Sequence, residues 1–146
     1  MMEVKIYIET TLCGPGIKDG WYAAAIEYMT GKGPAVLGIV GMEKETTYYR
    51  SVLLAAVKAL ERLRERCDVR IYTRCSFVKD MVEKGNLESW GRSGWVKPGG
   101  GEVANKELWQ QLLRQLGYHR IEFCFSRHHG YKADLWSAIE KAKKEG

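Results

Sequence analysis

Three strand-like segments follow one another at the start of the sequence, before any helical pattern occurs. Residues 4–9 alternate apolar and polar side chains, as a half-buried strand does, and residues 21–28 and 35–40 are also strand-like. The link at residues 30–34 reads Thr-Gly-Lys-Gly-Pro, which suits a hairpin turn. The beginning of the chain therefore predicts an antiparallel β-meander.

Helical and strand-like segments alternate through the rest of the chain. The helical segments are residues 51–66, 76–84, 106–116 and 133–144, and the strand-like segments are residues 69–73 and 120–126. Strands that are separated by helices are expected to join a sheet in parallel, through right-handed crossovers. The order β-β-β-α-β-α-α-β-α predicts an α/β fold, a mixed five-stranded sheet made of a three-strand antiparallel meander plus two parallel strands, flanked by helices.

Residue types that favour helix ends mark several of these helical segments. Gly85 and Gly117 are expected to stop the second and third helices, because glycine readily adopts the left-handed conformation of a helix C-terminus. Asn105 is expected to cap the start of the third helix with its side chain.

Length and composition narrow the class of protein. A chain of 146 residues with 45% apolar and 28% charged side chains predicts one domain, residues 1–146, that folds alone. There is no run of about eighteen apolar residues and no basic segment followed by an apolar stretch, so we expect no membrane span, no secretion signal and a cytoplasmic location. The cysteines are too scattered for a zinc site: Cys13, Cys67, Cys75 and Cys124.

The positive charge is concentrated in the middle of the chain. The net charge is +5, and residues 47–100 contain eleven basic against six acidic side chains. A polyanion is the partner that such a field favours, because neutralised phosphates release their counterions. The alternative is a solubilised helix surface, since residues 61–66 (ERLRER) interleave both signs. Charge alone leaves both interpretations open.

Short motifs in the first two thirds of the chain resemble those of cellular-type ribonuclease H. Residues 4–11 (VKIYIETT) are similar to the family's first strand, which ends in an aspartate followed by Gly-Ser. Residues 47–63, which begin TYYRSVLL, resemble its first helix with the pattern TNNRMEL. Residues 71–78 (IYTRCSFV) resemble its fourth strand with the pattern TDS.

Further matches follow in the family's order. Residues 90–95 (WGRSGW) resemble its basic protrusion, residues 105–112 (NKELWQQL) the next helix, and residues 127–130 (RHHG) its GHxG loop. The resemblance covers residues from about Lys5 to Ala142. It implies a ribonuclease H-like fold, which agrees with the predicted order of strands and helices.

The family's reaction uses four carboxylates that hold two divalent metal ions across the scissile phosphate. The resemblance places these positions at Glu9, Val52, Arg74 and Ala138. Valine and alanine offer no oxygen ligand, and a unit positive charge about 4 Å from a dication is repelled by roughly 8 kcal/mol. We therefore expect no metal cofactor and no two-metal cleavage. His128 matches the family's mobile histidine and has no cleavage step left to assist.

Glu9 and Arg74 are expected to lie side by side on the two central strands. A charge-assisted pair between them would then replace neutralisation by metal, with Val52 and Ala138 packed around it. The alternative is that Arg74 points to solvent from the end of its strand. His129 stands where the family has a small residue and is given no function.

Asp134 has two interpretations. It lies four residues before Ala138, one helical turn away, so that with Glu9 and His128 it could form a site for a single Mg²⁺ or Mn²⁺ ion. It also directly precedes the apolar positions of the last helix, where an aspartate is favoured as the N-cap.

Binding residues are expected at two places. Trp90, Arg92, Trp95 and Lys97 combine aromatic rings with positive charge in the segment that resembles the protrusion, which the family uses on the DNA strand of a hybrid. The alternative for the tryptophans is packing onto the following helix. The other place is marked by residues 47–49, where Thr47 matches a phosphate-contacting threonine, while Tyr48 and Tyr49 replace two asparagines that touch the duplex.

These patterns support one leading hypothesis and two alternatives. The leading one is a ribonuclease H-like pseudoenzyme, with a degenerate active site, that binds RNA–DNA hybrid or double-stranded RNA without cutting it. One alternative is an active ribonuclease H that cleaves the RNA strand of RNA–DNA hybrids with a rearranged metal site at Glu9 and Asp134. The other is a protein-interaction module that keeps the fold and binds a protein partner.

Overall fold

The computed structural model of the chain describes residues 1–146. Its elements are, in order, β1 (Met2–Thr10), β2 (Lys18–Thr30), β3 (Gly33–Thr46), α1 (Tyr48–Leu60), β4 (Cys67–Thr73), α2 (Ser76–Glu83), α3 (Asn86–Arg92), α4 (Lys106–Tyr118), β5 (Arg120–Phe125) and α5 (Lys132–Glu145). The helices are too short or too polar for any of them to cross a bilayer.

The five strands form one mixed sheet in the order β3-β2-β1-β4-β5. The pairs β1–β2 and β2–β3 are antiparallel, as expected of a meander, and the pairs β1–β4 and β4–β5 are parallel. The predicted α/β fold, with a three-strand meander plus two parallel strands flanked by helices, is confirmed.

The helical connection between β4 and β5 differs from the prediction. It contains three helices and not two, because the short helix α3 begins directly after Gly85. Gly85 has a φ of 73° and follows Lys84, the last residue of the α2 cap, so the predicted stop is present. A helix of seven residues is too short to show a clear apolar period in the sequence, and α3 was therefore not predicted.

Three expected helix ends need correction. Gly117 does not stop α4, which runs on to Tyr118. Asn105 does precede α4, but its side chain makes no capping hydrogen bond. Asp134 is not the N-cap of α5: Tyr131 occupies that position, and Asp134 lies in the first turn, where a negative charge suits the helix dipole.

The sheet carries a helix on each face. On one face α1 packs against a large apolar cluster that includes Ile6, Ile8 and Val52. On the other face α5 places Leu135 and Ile139 against small residues of β2, with Tyr7 beside them. Because side chains alternate along a strand, Glu9 shares the face of Tyr7, which is the face covered by α5.

A buried histidine lies at the end of the sheet where β4 and β5 begin, and it makes the stability of the fold depend on pH. The backbone N–H of Cys67 donates to Nδ1 of His119 over 3.0 Å, and His119 is 4% exposed. Burial, with the nearby positive charge of Arg66, lowers the pKa of His119 below its usual 6.5. Folding therefore favours the neutral ring.

We expect the free energy of unfolding to fall as the pH drops below about 6.5, because the unfolded chain then takes up a proton that folded His119 resists. The contribution of His119 is complete above that pH and is lost toward its lower folded pKa. In urea unfolding between pH 5 and pH 8, His119→Gln should flatten the profile. His128→Gln, at an exposed histidine, should leave it unchanged, and equal profiles for His119→Gln and the parent would contradict the assignment.

Candidate functional site

Three of the residues that the resemblance singles out lie around one small cavity at the end of the central strands. Glu9 comes from β1, Val52 from α1 and Arg74 from the turn after β4. The register explains this, since Tyr7 pairs with Tyr72 in the parallel β1–β4 pair, and Glu9 and Arg74 lie two residues further along. A hydrogen bond of 2.7 Å between the hydroxyls of Thr10 and Ser51 holds α1 to the end of β1.

Ala138, the fourth position that the resemblance singles out, does not lie with the other three. The α5 residue that reaches Glu9 is Trp136, whose indole N–H donates to Glu9 Oε1 over 2.9 Å. Ala138 lies two residues further, which is about 200° around the helix, so it projects from a different side of α5. The structure thus brings Glu9, Val52 and Arg74 together and leaves Ala138 outside the group.

Glu9 is almost entirely enclosed by hydrogen-bond donors. Its side chain is 9% exposed, and the side chain of His129, at 2.8 Å from Oε2, is 5% exposed. Nδ1 of His129 accepts the backbone N–H of Tyr131 over 3.1 Å. The ring proton is then on Nε2, which donates to Glu9. Both carboxylate oxygens of Glu9 are therefore occupied, one by histidine and one by tryptophan.

The expected pair between Glu9 and Arg74 is not formed. Glu9 is bonded to His129, and the guanidinium carbon of Arg74 lies 5.9 Å from the ring centroid of Tyr48. Arg74 is exposed and lies just past Thr73, where β4 ends, so its side chain is free to turn toward Tyr48 on the α1 side. Glu9 faces the α5 side, and the two charges are separate although their strands are neighbours.

The histidine at this site is the one that sequence reasoning passed over. His128 is exposed, and its carbonyl accepts the hydroxyl of Ser126 over 2.8 Å. His129 instead points inward to Glu9, which is 120 residues earlier in the chain. Two adjacent histidines in a loop give no local signal of which ring turns inward, so only the tertiary structure separates them.

A second polar contact lies beside this pair on the α5 face. The hydroxyl of Tyr131 donates to Glu27, and this hydrogen bond raises the pKa of Tyr131 to about 12. The ring of Tyr131 is 5.2 Å from that of Tyr7, which is 5.0 Å from the ring of His129. The loop before α5 is thus fastened to the sheet by Glu9 and Glu27 together.

A larger groove opens on the α1 side of the cavity and has a volume of about 610 Å³. It runs between the β1–β2 loop and the N-terminal ends of α1, α2 and α4. Tyr48, Tyr49, Arg74 and Phe77 line it together with small and polar residues, and no carboxylate does. Arg74 is its only charged side chain, so the groove favours an anionic ligand.

The three expected contact residues at the start of α1 all line this groove. Thr47 is the N-cap of α1, where its hydroxyl accepts the N–H of Arg50 over 3.3 Å and keeps its own proton for a second partner. Burial raises the pKa of Tyr48 to about 12, so its hydroxyl stays protonated at neutral pH. Tyr49 is 42% exposed.

The residues of the expected protrusion divide into two kinds. Trp90 lies 6.2 Å from Trp95 and 5.4 Å from Trp109 of α4, measured between ring centroids, and both Trp90 and Trp95 pack against the main core. Arg92 and Lys97 are exposed. Trp90 therefore packs onto the following helix and Trp95 onto Trp90 and the core, and the two cations remain available to a ligand.

No group of three or more histidine, cysteine, aspartate or glutamate side chains is arranged to hold a metal ion. Asp134 is exposed on α5, His128 is exposed in the preceding loop, and Glu9 is buried beneath His129. The alternative metal set of Glu9, Asp134 and His128 is not brought together.

Comparison with known proteins gives consistent results. The family model for RNase H matches residues 14–135. Ribonuclease H of Oleidesulfovibrio alaskensis is 36% identical over 136 residues, with 88% of this chain and 80% of that protein covered. Ribonuclease HI of Xylella fastidiosa strain 9a5c is 30% identical over 134 residues, with 92% of this chain and 85% of that protein covered.

Solved structures show the same fold. The crystal structure of LC9-RNase H1, a type 1 RNase H with the type 2 active-site motif, has a TM-score of 0.78 at 20% identity and covers 99% of this chain and 73% of its own. The crystal structure of LC11-RNase H1 in complex with RNA/DNA hybrid has a TM-score of 0.62 at 17% identity and covers 97% of this chain and 99% of its own.

These comparisons overturn the expectation that no metal cofactor is involved. The matching family and the relatives at 30–36% identity are ribonucleases H, which depend on Mg²⁺, so Mg²⁺ is the cofactor that the relationship implies. The side chains at the family's positions do not fit a pair of such ions, because Val52 has no oxygen, Arg74 is positive and both Glu9 oxygens are bonded to protein donors.

Proposed function

The chain belongs to the ribonuclease H family, and we propose that it binds RNA–DNA hybrid or double-stranded RNA but has lost the family's two-metal cleavage reaction. The observation that carries this proposal is the groove of about 610 Å³, which has a cation, Arg74, and no carboxylate along its walls. A groove of that kind attracts a phosphate backbone, whereas a two-metal centre needs several carboxylates at one point.

Binding would use groups that already point into or beside the groove. Arg74 offers a charge-assisted hydrogen bond to a phosphate, and the hydroxyl of Thr47 offers a neutral one. Arg92 and Lys97, which do not line the groove, are exposed on the segment after Trp90 and would offer further phosphate contacts. Such contacts set the position of a duplex without reading its sequence.

The loss of cleavage rests on what surrounds the remaining carboxylate. Val52 is 1% exposed and packs in the core, so the α1 position is apolar. Glu9 is bonded to His129 and Trp136 and serves as an anchor between the sheet and α5. An active enzyme with a rearranged site would need several metal-binding side chains around Glu9, and no group of three or more is arranged to hold a metal ion.

One surface feature favours a protein partner as a second candidate function. The edge strand β3 exposes Val36, Val40 and Met42, at 47%, 38% and 43%, along one side. An apolar edge strand is a common place for another chain to pair. Failure of nucleic acid to bind at low salt would favour this candidate.

The proposal predicts that affinity for a labelled RNA–DNA hybrid falls steeply with salt. If three phosphates are neutralised, a fourfold rise in salt should weaken binding by about 40-fold, since each phosphate releases nearly one counterion. Replacing Arg92 and Lys97 by glutamine should make the slope of log affinity against log salt concentration less steep. Arg74→Gln should reduce the steepness of that slope by about one. Fluorescence anisotropy at several salt concentrations measures these slopes.

Lys141→Gln is the matched control, because Lys141 is an exposed cation on α5, which packs on the face of the sheet opposite α1. It should leave the slope as in the parent. The same samples with millimolar Mg²⁺ or Mn²⁺ should keep the RNA strand intact on a denaturing gel. Salt-insensitive binding would contradict the proposed binding mode, and cleavage that Glu9→Gln abolishes would show that the reaction has been retained.

A further inference from the structure

The groove contains an aromatic stack with one member open to solvent. The rings of Tyr49 and Phe77 are stacked, with centroids 4.1 Å apart and an interplanar angle of 13°. The Phe77 ring contacts that of Trp109, with centroids 6.3 Å apart and an interplanar angle of 66°, and this contact joins the stack to the core. Tyr49 is nevertheless 42% exposed. The Phe77 side of the stack is therefore held by the core, and the Tyr49 side is open to solvent.

We propose that this groove binds an unpaired nucleobase on Tyr49, next to a backbone phosphate on Arg74. The ligand class is then a nucleic acid with a single-stranded segment, such as a hybrid with an overhang or flap, and not a continuous duplex alone. This inference rests on the proposed function and makes its ligand more specific.

The chemistry of the groove matches an unpaired nucleotide. A base presents a flat apolar face, which stacks on an aromatic ring whatever the base is, and one stacked base changes affinity by roughly 5-fold to 160-fold. The Arg74 guanidinium lies 5.9 Å from the Tyr48 ring, and Tyr48 is 5.8 Å from Tyr49. One cation thus stands within a nucleotide's reach of the stacking ring.

The ring of Tyr49 distinguishes unpaired bases from paired ones. In a continuous duplex each base face is covered by its neighbours, and only base edges, sugars and phosphates meet a protein. The asparagines that the family has at the positions of Tyr48 and Tyr49 can contact base edges in a duplex, because an amide both donates and accepts hydrogen bonds. A tyrosine face suits a base that has left the stack. The groove volume of about 610 Å³ is within the range of pockets that enclose small organic ligands.

The test compares three labelled ligands by fluorescence anisotropy at one low salt concentration. The first is a blunt RNA–DNA hybrid, the second carries a short single-stranded extension, and the third carries an extension of the same length made of abasic sugar-phosphates. We expect the extension with bases to bind at least about 5-fold tighter than the blunt hybrid. The abasic extension, which has the charge but no base faces, should gain much less.

Variants of Tyr49 test whether its ring causes the gain in affinity from the base-containing extension. Tyr49→Ala should remove the preference for the base-containing extension over the abasic extension, while Tyr49→Phe should retain that preference because the stacking face remains. Tyr118→Ala is the matched control, since Tyr118 is 48% exposed but does not line the groove. A thermal melt of each variant shows that it is folded.

The outcomes separate this inference from the function on which it rests. Equal binding of blunt and extended hybrids, a preference that survives Tyr49→Ala, or an equal gain from the abasic extension would overturn the base-binding inference while hybrid binding stands. If none of the three ligands binds at low salt, the proposed function is wrong, and the inference falls with it.

Discussion

Replacing Val52 by glutamate and Arg74 by aspartate in the same chain is expected to make the stability of the protein depend on magnesium. With Glu9, the two new side chains would place three carboxylates around one cavity. Without cations, burial and mutual repulsion should lower the free energy of unfolding by about 3 to 5 kcal/mol, because a charge is introduced at position 52, where the side chain is 1% exposed. Magnesium at about 100 times its Kd should return about 2.7 kcal/mol, since it binds only the folded chain.

Urea unfolding with and without Mg²⁺ measures both effects. The matched control is Val52→Gln with Arg74→Asn, which keeps nearly the same shapes without the charges and should be destabilised but insensitive to magnesium. If the double-carboxylate variant is unfolded without metal, titration with Mg²⁺ should refold it. A folded variant that ignores magnesium would mean that positions 9, 52 and 74 do not meet closely enough to share an ion.

The architecture could be predicted because it is recorded in local patterns. The alternating segment at residues 4–9 and the strand-like segments at residues 21–28 and 35–40 predicted the meander, and strands separated by helices predicted the parallel pairs. The prediction missed α3, whose seven residues begin at Asn86, directly after Gly85, and complete fewer than two full turns. Element lengths were also underestimated: β3 spans 14 residues and keeps pairing with β2 well beyond its apolar centre.

The site was predictable only as far as strand register determines it. Parallel pairing of β1 and β4 carries Glu9 and Arg74 to the same end of the sheet, and α1 adds Val52. The partners of Glu9 are 120 and 127 residues away in sequence, so no spacing rule points to them. The expected pair with Arg74 was wrong because β4 ends at Thr73, so Arg74 has left the strand and its side chain does not follow the register of the sheet.

Aromatic residues gave the least certain sequence signal, because the same residue type serves packing and binding. Trp90 and Trp95 occur beside Arg92 in a pattern that suits nucleic acid, yet both pack onto the core near Trp109. Tyr49, which the resemblance marked as a departure from the family, is the aromatic side chain that remains exposed in the groove. Whether an aromatic side chain is exposed depends on tertiary packing, and the amino-acid composition does not show it.

Glu9→Ala is expected to be strongly destabilising, which distinguishes an anchoring carboxylate from a metal-binding one. Removing the Glu9 carboxylate leaves the N–H groups of His129 and Trp136 buried without an acceptor, and each such group costs about 1 to 3 kcal/mol. A loss of about 3 to 5 kcal/mol in the free energy of unfolding should follow, measured by urea denaturation. Glu9→Gln should lose less, because its amide oxygen still accepts one of the two donors.

The sign of this effect is the decisive observation. In a cluster of carboxylates built for two metal ions, removing one carboxylate from the metal-free protein relieves repulsion and stabilises the fold. At Glu9 the neighbours are donors, so removal should destabilise, while Glu3→Ala at an exposed position of β1 should change stability by no more than about 0.5 kcal/mol. A double-mutant cycle with Trp136→Phe should give a coupling of about 1 kcal/mol, because the second change removes a donor that the first has orphaned. Stabilisation by Glu9→Ala, or no coupling to Trp136, would mean that Glu9 is not the link between the sheet and α5.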